Sequence, residues 1–339
     1  MYNHFAMSEE NPVVKKSILQ RMLPGLLLGF LVLIALSLFG DVHQLTEVMG
    51  KFNWRVYPAA LAFTFLNYAL RFVKWNFYLN QLQAGKISVK NSLRIFIGGF
   101  PLAVTPGKVG EALKGVWLNQ VSSMPVGRGI AAVVAERISD GIAVLLLSTL
   151  GVIAYPQYWL AFVIILTGLL LVVLLSQIRP AALFFLALLE RMPLVNRMAA
   201  GIREFYEGSF SLFRPKATLL GVGLGCISWL GEGIGFYLIL RGLGMDAGYR
   251  LAGMAVFILS FSTVVGAVSA LPGGLGAAEA SIAGMLALIT GASPAVAAAA
   301  TLLIRMATLW FGVLLGLIVW AFSPHMIGLK VNHGTTNYS

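Results

Sequence analysis

The chain reads as an all-α polytopic membrane protein, with about six transmembrane helices and two re-entrant helical hairpins arranged as an inverted repeat. Two observations predict this class. The first is composition: 58% of the 339 residues are hydrophobic, only 11% are charged and the mean hydropathy is +0.85, values that no soluble domain of this size carries. The second is a motif that occurs twice. Pro106-Gly107-Lys108-Val109-Gly110-Glu111 returns as Pro272-Gly273-Gly274-Leu275-Gly276, with Glu279 three residues further on. Arginines follow the two copies, Arg137 and Arg305, each inside an apolar stretch. Paired interruptions of this kind, one in each half, mark transporters built from duplicated halves.

The elements follow in order. Met1 to Gln20 is polar and includes Glu9 and Glu10, and no small-residue cleavage site follows the first apolar run, so that run is read as an uncleaved helix. Crossing the hydrocarbon core takes roughly 17 to 25 apolar residues. The candidates are 23–39, 56–75, 129–154, 158–177, 216–240 and 294–322. Two further apolar regions are broken. Region 94–118 contains Gly98-Gly99, Pro101 and Pro106-Gly107, and region 252–290 contains Leu271-Pro272-Gly273-Gly274. Proline removes a backbone donor and clashes with the preceding turn, so such breaks require surrounding protein or water. Each region is read as a re-entrant hairpin, with an ordinary kinked span as the competing reading.

If both are hairpins, the crossings place them on opposite faces. The first repeat, 56–154, holds the hairpin at 94–118, and the second, 216–322, holds the one at 252–290. The units are then inverted, with a site near the midplane where they meet. Loop charges orient the whole. Lys15, Lys16, Arg21, Arg71, Lys74, Lys86, Lys90, Arg94, Arg179, Arg191, Arg197, Arg203, Arg214 and Lys216 fall on one side; Lys51, Arg55, Arg241 and Arg250 fall on the other. The richer side is cytoplasmic by the positive-inside rule, which puts both termini inside a cell membrane. The connector 178–215 is cytoplasmic, and Val195, Met198, Ile202, Phe205 and Leu212 recur in it at helical spacing opposite Arg197, Arg203 and Glu204. That pattern fits an amphipathic helix in the headgroup layer or a helix packed on the cytoplasmic mouth.

Chemistry is sought among ionisable residues at membrane depth, where each costs at least ~2.5 kcal/mol and faces a cavity or a partner. Glu136, Arg137 and Asp140 share part of one helix surface, and Arg137 with Asp140 is a natural ion pair. Lys108, Glu111 and Lys114 line one side of the helix opened by Pro106-Gly107. The positive N-terminal end of that helix, with its free N–H groups, suits a phosphate or carboxylate. Glu279 and Arg305 are the counterparts in the second half, and Glu232 is the remaining deep acid. The competing reading is structural: Glu111 pairs with Arg137 and Glu279 with Arg305, locking helices together. The glycines 221, 223, 225, 231, 233 and 235 read as a close-packing helix surface, since no strand precedes them to make a nucleotide loop.

Several classes are set aside. The net charge of +11 is spread singly or in pairs beside apolar runs, so nucleic acid is not a partner. Cys226 is the single cysteine, and His4, His43, His325 and His333 all lie outside the proposed core, so no metal site or other cofactor is expected. No HExxH or GxSxG motif is present, and an enzyme is not the leading reading.

The phrases Pro-Gly-Lys-Val-Gly-Glu-Ala-Leu-Lys at 106–114, Glu-Arg-Ile-Ser-Asp at 136–140, Leu-Pro-Gly-Gly-Leu-Gly at 271–276 with Glu279, and Leu-Ile-Arg-Met-Ala-Thr-Leu-Trp at 303–310 resemble the flippase-like membrane domain of lysylphosphatidylglycerol synthases. The resemblance covers about residues 20–322 and implies movement of a lipid between leaflets, with the headgroup handled near the paired hairpins. One departure is Ala278 before Glu279, where the family commonly has arginine, so a headgroup contact from that position is not carried over. The family's aminoacyl-transferase domain finds no counterpart in the residues after 322, and lysyl transfer by this chain alone is not expected.

Together these readings favour a flippase or transporter of an anionic phospholipid, a polyprenyl-phosphate or a glycolipid. Arg137 and Arg305 would attract phosphate, Glu111 and Glu279 would orient them or bind a cationic headgroup, and Lys108 would gather the headgroup. The alternatives are a headgroup-modifying membrane enzyme with Glu111 or Asp140 as base, and a non-transporting partner of a glycosyltransferase or lipid synthase. A homodimer remains open alongside that partnership.

Overall fold

The computed structural model describes residues 23–25, 27–32, 34–35, 38, 41–85, 87–154, 159–180 and 199–323, and every regular element among them is helical. The protein is an all-α polytopic membrane protein. Five helices among the described residues are long and apolar enough to cross a membrane: Trp54–Gln81, Pro215–Gly242, Tyr249–Val268, Pro272–Thr290 and Pro294–Phe322. The expected span 129–154 sits in a 29-residue helix, Val126–Ala154, whose charged residues Arg128, Glu136, Arg137 and Asp140 all precede its apolar second half. The expected span at 23–39 is represented by the helical stretch Leu23–Val32. Lys15, Lys16, Arg21, Lys86, Arg191, Val195, Arg197 and Met198 lie outside the described residues.

The helices are labelled α1 (Val42–Lys51), α2 (Tyr57–Gln81), α3 (Val89–Gly98), α4 (Leu113–Ser122), α5 (Val126–Ala154), α6 (Trp159–Gln177), α7 (Ala199–Leu212), α8 (Pro215–Gly242), α9 (Tyr249–Val268), α10 (Ala277–Met285), α11 (Pro294–Arg305) and α12 (Phe311–Phe322). Their starts follow local chemistry. Ser88 caps α3 by accepting from the Asn91 N–H, and Ser293 caps α11 by accepting from the Val296 N–H, with Pro294 at the first helical position. Proline also opens α8, where its missing N–H is no loss. A π-helical turn, Met306–Trp310, joins α11 to α12 directly after Arg305. Tyr68 and Tyr57 donate from their hydroxyls to the carbonyls of Thr308 and Leu303 there.

Two ends of the bundle can be traced by contacts. At one end the Ser211 hydroxyl donates to the Gln81 carbonyl, and a polar cavity of about 350 Å³ is lined by Gln81, Arg128, Glu207 and Arg214. At the other end the Asn53 N–H donates to the Gly242 carbonyl, and α1 lays Leu45 against Ala298 and Ala299 of α11. Region 94–118 leaves the first end as α3, turns through short 3₁₀ segments at Phe100–Val104 and Pro106–Ala112, and returns as α4. Its two ten-residue helices reach about 15 Å each. Region 252–290 starts near Gly242 as α9 and returns to the start of α11. Here α9 alone is 20 residues, about 30 Å and long enough for a complete crossing, so these arms are longer than a half-depth hairpin needs.

The two breaks meet. The Gly107 N–H donates to the Ala270 carbonyl at 3.0 Å, joining one turn to the other. Gly107 and Lys108 in the first turn, and Gly273, Gly274 and Gly276 in the second, all hold positive φ, a region in which glycine is free and an L side chain is strained.

Helix α8 runs through the middle, packed on α2, α5 and α9. Its glycines do what their spacing implied. Gly221 lies under the Tyr78 hydroxyl, Gly225 against Ala143, Gly233 against Val256, and Gly231 and Gly235 against Phe63; only Gly223 faces open space. Gly233 is the strictest, since a Cβ there would lie 2.9 Å from the Val256 Cα. Helix α7 of the connector buries Tyr206, Gly208, Ser209 and Leu212 and packs on the start of α5, the arrangement of a helix seated on the mouth.

Candidate functional site

One correction concerns where the charges are. Arg71 and Lys74, counted among the loop charges at the end of the span 56–75, are not loop residues: α2 continues to Gln81 and both are buried, at 9% and 0% exposure. Asn67, Arg71, Lys74 and Tyr78 recur at helical spacing, so they form one polar stripe on α2. That stripe faces α5. The Arg71 guanidinium donates to Glu136 Oε1 from Nη2 at 2.7 Å and from Nε at 3.1 Å, and lies 3.4 Å from Asp140 Oδ2. Lys74 Nζ donates to Asp140 Oδ1 and to the Ser139 hydroxyl. Asp140 is therefore held by Lys74 and Arg71, not by Arg137 as helical spacing suggested. A lysine with four methylenes reaching from α2 outcompetes an i+3 neighbour on the same helix.

The remaining predicted residues join the same network. Arg137 Nε lies 3.3 Å from Glu111 Oε2, and its Nη2 donates to Glu136 Oε1 at 3.1 Å. Lys114 Nζ lies 3.8 Å from both Glu111 Oε2 and Glu136 Oε2. It also sits over the Trp75 and Phe96 rings, 5.4 Å from each centroid, a position that offsets part of the desolvation of a buried ammonium. Gly99 makes room for this lysine, since a Cβ at 99 would meet the Lys114 chain.

The second half is simpler. Arg305 Nε donates to Glu279 Oε1 at 2.5 Å and its Nη2 to the Gly273 carbonyl at 3.1 Å, while the Gly276 N–H donates to Glu279 Oε2 at 2.7 Å. Both expected pairs, Glu111 with Arg137 and Glu279 with Arg305, thus form. The first break also uses its own backbone: the N–H groups of Lys108 and Gly110 donate to the Thr105 carbonyl and hydroxyl. With the Gly107 bond to Ala270, those donors are taken, contrary to the expectation of free N–H groups. What that turn offers a ligand is the Lys108 side chain, half-buried and without a hydrogen-bonding or ion-pair partner among the described residues. The charges of Arg137, Arg71 and Arg305 act on it from three helices, against that of Glu111 from its own turn.

The satisfied and unsatisfied atoms are unevenly placed. Glu111 Oε2, Glu136 Oε2 and Asp140 Oδ2 are buried without a hydrogen bond, as is Arg137 Nε. All four belong to the first half. These atoms are ion-paired without a well-formed hydrogen bond: Glu111 Oε2 faces Arg137 Nε at 3.3 Å, Asp140 Oδ2 faces Arg71 Nε at 3.4 Å and Glu136 Oε2 lies 3.8 Å from Lys114 Nζ, so their hydrogen-bonding capacity is not fully used. Arg137 is also the most accessible of the network arginines, with 29% of its side chain exposed against 10% for Arg71 and 14% for Arg305. Among the described residues, no group of three or more potential metal ligands exists.

The family described as the lysylphosphatidylglycerol synthase TM region matches residues 25–316. The chain belongs to this family. Among similar proteins, a UPF0104 membrane protein of Methanothermobacter thermautotrophicus is 26% identical over 310 residues, covering 86% of this chain and 90% of that one. A UPF0104 membrane protein of Pyrococcus horikoshii is 25% identical, covering 86% and 94%. The glycosyltransferase AglD of Haloferax volcanii is 22% identical, covering 82% of this chain but 50% of its own length. No solved structure matches the chain. The family match spans both breaks and all eight sequence-derived candidates, Lys108, Glu111, Lys114, Glu136, Arg137, Asp140, Glu279 and Arg305.

Proposed function

We propose that this chain moves a phosphate-bearing lipid, an anionic phospholipid, polyprenyl-phosphate or glycolipid, between the leaflets of a cell membrane. One observation carries the reading. Where the two broken helices meet, the cations Arg71, Lys74, Lys108, Lys114, Arg137 and Arg305 outnumber the acids Glu111, Glu136, Asp140 and Glu279. An excess of positive charge at membrane depth is costly when empty, and it is lowered by an anion that fills it. Arg137, the most accessible of the network arginines, and Lys108, without a hydrogen-bonding or ion-pair partner among the described residues, would take the phosphate. Family membership supports lipid work at this place without naming the lipid.

Cations outside the buried network support an orientation. Lys90, Arg94, Arg128, Arg179, Arg203, Arg214 and Lys216 belong to the Gln81 end, against Lys51, Arg55, Arg241 and Arg250 at the Gly242 end, so the Gln81 end is proposed to be cytoplasmic.

The test is reconstitution into liposomes carrying fluorescent lipids, with dithionite quenching of the outer leaflet. Purified protein should expose inner-leaflet anionic lipid to quenching faster than empty vesicles do, and Lys108→Ala should abolish the gain. The reading fails if no anionic lipid, polyprenyl-phosphate or glycolipid moves. Mass spectrometry of co-purified lipid names the substrate class. The likeness to a protein named as a glycosyltransferase favours a second reading, a membrane partner that presents a lipid-linked substrate to an enzyme without moving it. Under that reading a lipid phosphate co-purifies and no movement is seen.

A further inference from the structure

Among the described residues, Glu232 is the deep acid that the network leaves out. It lies on α8, ten residues or about 15 Å from the Gly242 end, and is 5% exposed. It has no hydrogen-bonding or ion-pair partner among the described residues. Its position is nonetheless tied to the site. Gly221, Gly225, Ser228 and Glu232 follow one another at helical spacing and so share a face of α8. The first three touch the network's own elements: Gly221 lies under the Tyr78 hydroxyl, a Cβ at Gly225 would be 3.5 Å from Asp140 Oδ1, and the Ser228 hydroxyl accepts from Asn67 Nδ2 at 3.2 Å. Glu232 lies on that stripe one turn beyond Ser228, still within reach of the charges of Arg71, Asp140 and Arg305.

The other groups around it are committed. From α2, Arg71 and Lys74 hold Glu136 and Asp140, the Tyr68 hydroxyl donates to the Thr308 carbonyl and the Tyr78 hydroxyl to Ser139. From α5 come Glu136 and Asp140, each already between two or more cations. From α11, Arg305 is taken by Glu279. Helix α9 brings no ionisable group nearer than Tyr249 and Arg250 at its exposed start, and the 3₁₀ turn Trp54–Val56 brings only the exposed Arg55. Among the described residues no cation is left to hold Glu232 ionised, and a carboxylate without one at this depth is relieved by a proton.

We propose that Glu232 is a proton-binding site whose occupancy is coupled to anion binding at the adjacent cationic cluster. The inference rests on the anionic-lipid reading above and deepens it by naming a second, co-transported ion. The sign follows from charge. Six cations face four network acids, and an ionised Glu232 removes one unit of that excess, while a protonated Glu232 restores it. Protonation therefore strengthens anion binding, and by reciprocity a bound anion raises the proton affinity of Glu232. Anion affinity is highest at low pH and falls as pH rises through the Glu232 titration, by at most about tenfold per pH unit for one linked proton. Proton and anionic headgroup cross together.

Two measurements on the full chain in phosphatidylcholine vesicles decide this separately from the transport reading. The first is infrared titration of the protein alone. The wild type should show a carboxylic acid band that comes and goes reversibly between mildly acidic and mildly alkaline pH and is missing from Glu232→Gln. If the two proteins titrate alike, the proton site is overturned whatever the lipid result. The second adds short-chain phosphatidylglycerol in weak buffer with a pH-indicating dye. Wild type should take up protons on binding and bind more weakly at higher pH; Glu232→Gln should bind with no uptake and the same affinity across that range. PH-dependent binding that survives Glu232→Gln overturns the coupling. A Glu232 band with no binding of the probe keeps the proton site and removes the anionic-phospholipid reading instead.

Discussion

The two Pro-Gly breaks share a backbone and differ in what their charges do. At the second, Glu279 takes Arg305 with one oxygen and the Gly276 N–H with the other, and Arg305 also caps the Gly273 carbonyl. Two side chains close the broken turn, and neither appears among the buried unsatisfied atoms. At the first, seven ionisable side chains from α2, α4, α5 and the 3₁₀ turn interlock, yet three carboxylate oxygens and one guanidinium nitrogen are ion-paired without a hydrogen bond, and Lys108 has no hydrogen-bonding or ion-pair partner among the described residues. A duplicated motif has thus diverged into a clamp and a half that, on the function proposed above, binds the substrate. In the clamp the ion pair is part of the backbone's hydrogen bonding, whereas in the binding half it is a scaffold that leaves capacity over.

Removing a carboxylate from the clamp should have the largest effect on stability. Glu279→Ala strands Arg305, frees the Gly276 N–H and should cost about 3–5 kcal/mol, read as a loss of thermal stability in detergent. Replacing both partners, as in Glu279→Gln with Arg305→Met, should recover part of that loss because no buried charge is left unpaired. If Glu279→Ala unfolds no earlier than the wild type, the clamp description is wrong.

The next contrast exchanges the two turns at Lys108 and Gly274, which occupy matching positions with φ of 57° and 68°. Gly274→Ala places a Cβ 3.0 Å from the Gly266 Cα in a left-handed conformation and should cost about 1–2 kcal/mol. Lys108→Gly goes the other way. It relieves the same backbone strain and should gain about 1 kcal/mol while abolishing lipid movement. Strain kept at a position that stability alone would give to glycine is consistent with a functional lysine; a Lys108→Gly protein that loses stability removes that argument.

Much of this contrast was legible in the chain. The repeat, the glycine face of α8 and the pairs Glu111 with Arg137 and Glu279 with Arg305 follow from spacing, because helical periodicity and the scarcity of charge at membrane depth leave few partners. Arg71 and Lys74 were missed for a physical reason. A basic residue near the end of an apolar window looks like the start of a loop, and only tertiary pairing with Glu136 and Asp140 lets α2 continue as a helix through both. The signal was present as Asn67, Arg71, Lys74 and Tyr78 on one helical face. The donors of the first turn were misjudged because Thr105, one residue before the motif, supplies both acceptors for Lys108 and Gly110. The length of α9 was hidden because a break in sequence says where a helix ends and nothing about how far it has travelled.

The smallest expected change in stability belongs to Arg137, and it is the most informative about the binding half. Glu136 retains Arg71 and Lys114, and Glu111 retains Lys114, when Arg137 is altered. Arg137→Lys keeps the charge and removes the planar fork, so stability should stay within about 0.5 kcal/mol. A phosphate, however, is recognised by that fork in a way a point charge does not reproduce. Initial rates of lipid movement should therefore fall several-fold in Arg137→Lys, while the equivalent change in the clamp, Arg305→Lys, should lower thermal stability first because the Gly273 carbonyl loses its donor. Equal responses of the two arginines in both assays would mean that the halves have not diverged, and that the open atoms around Arg137 serve packing and not a ligand.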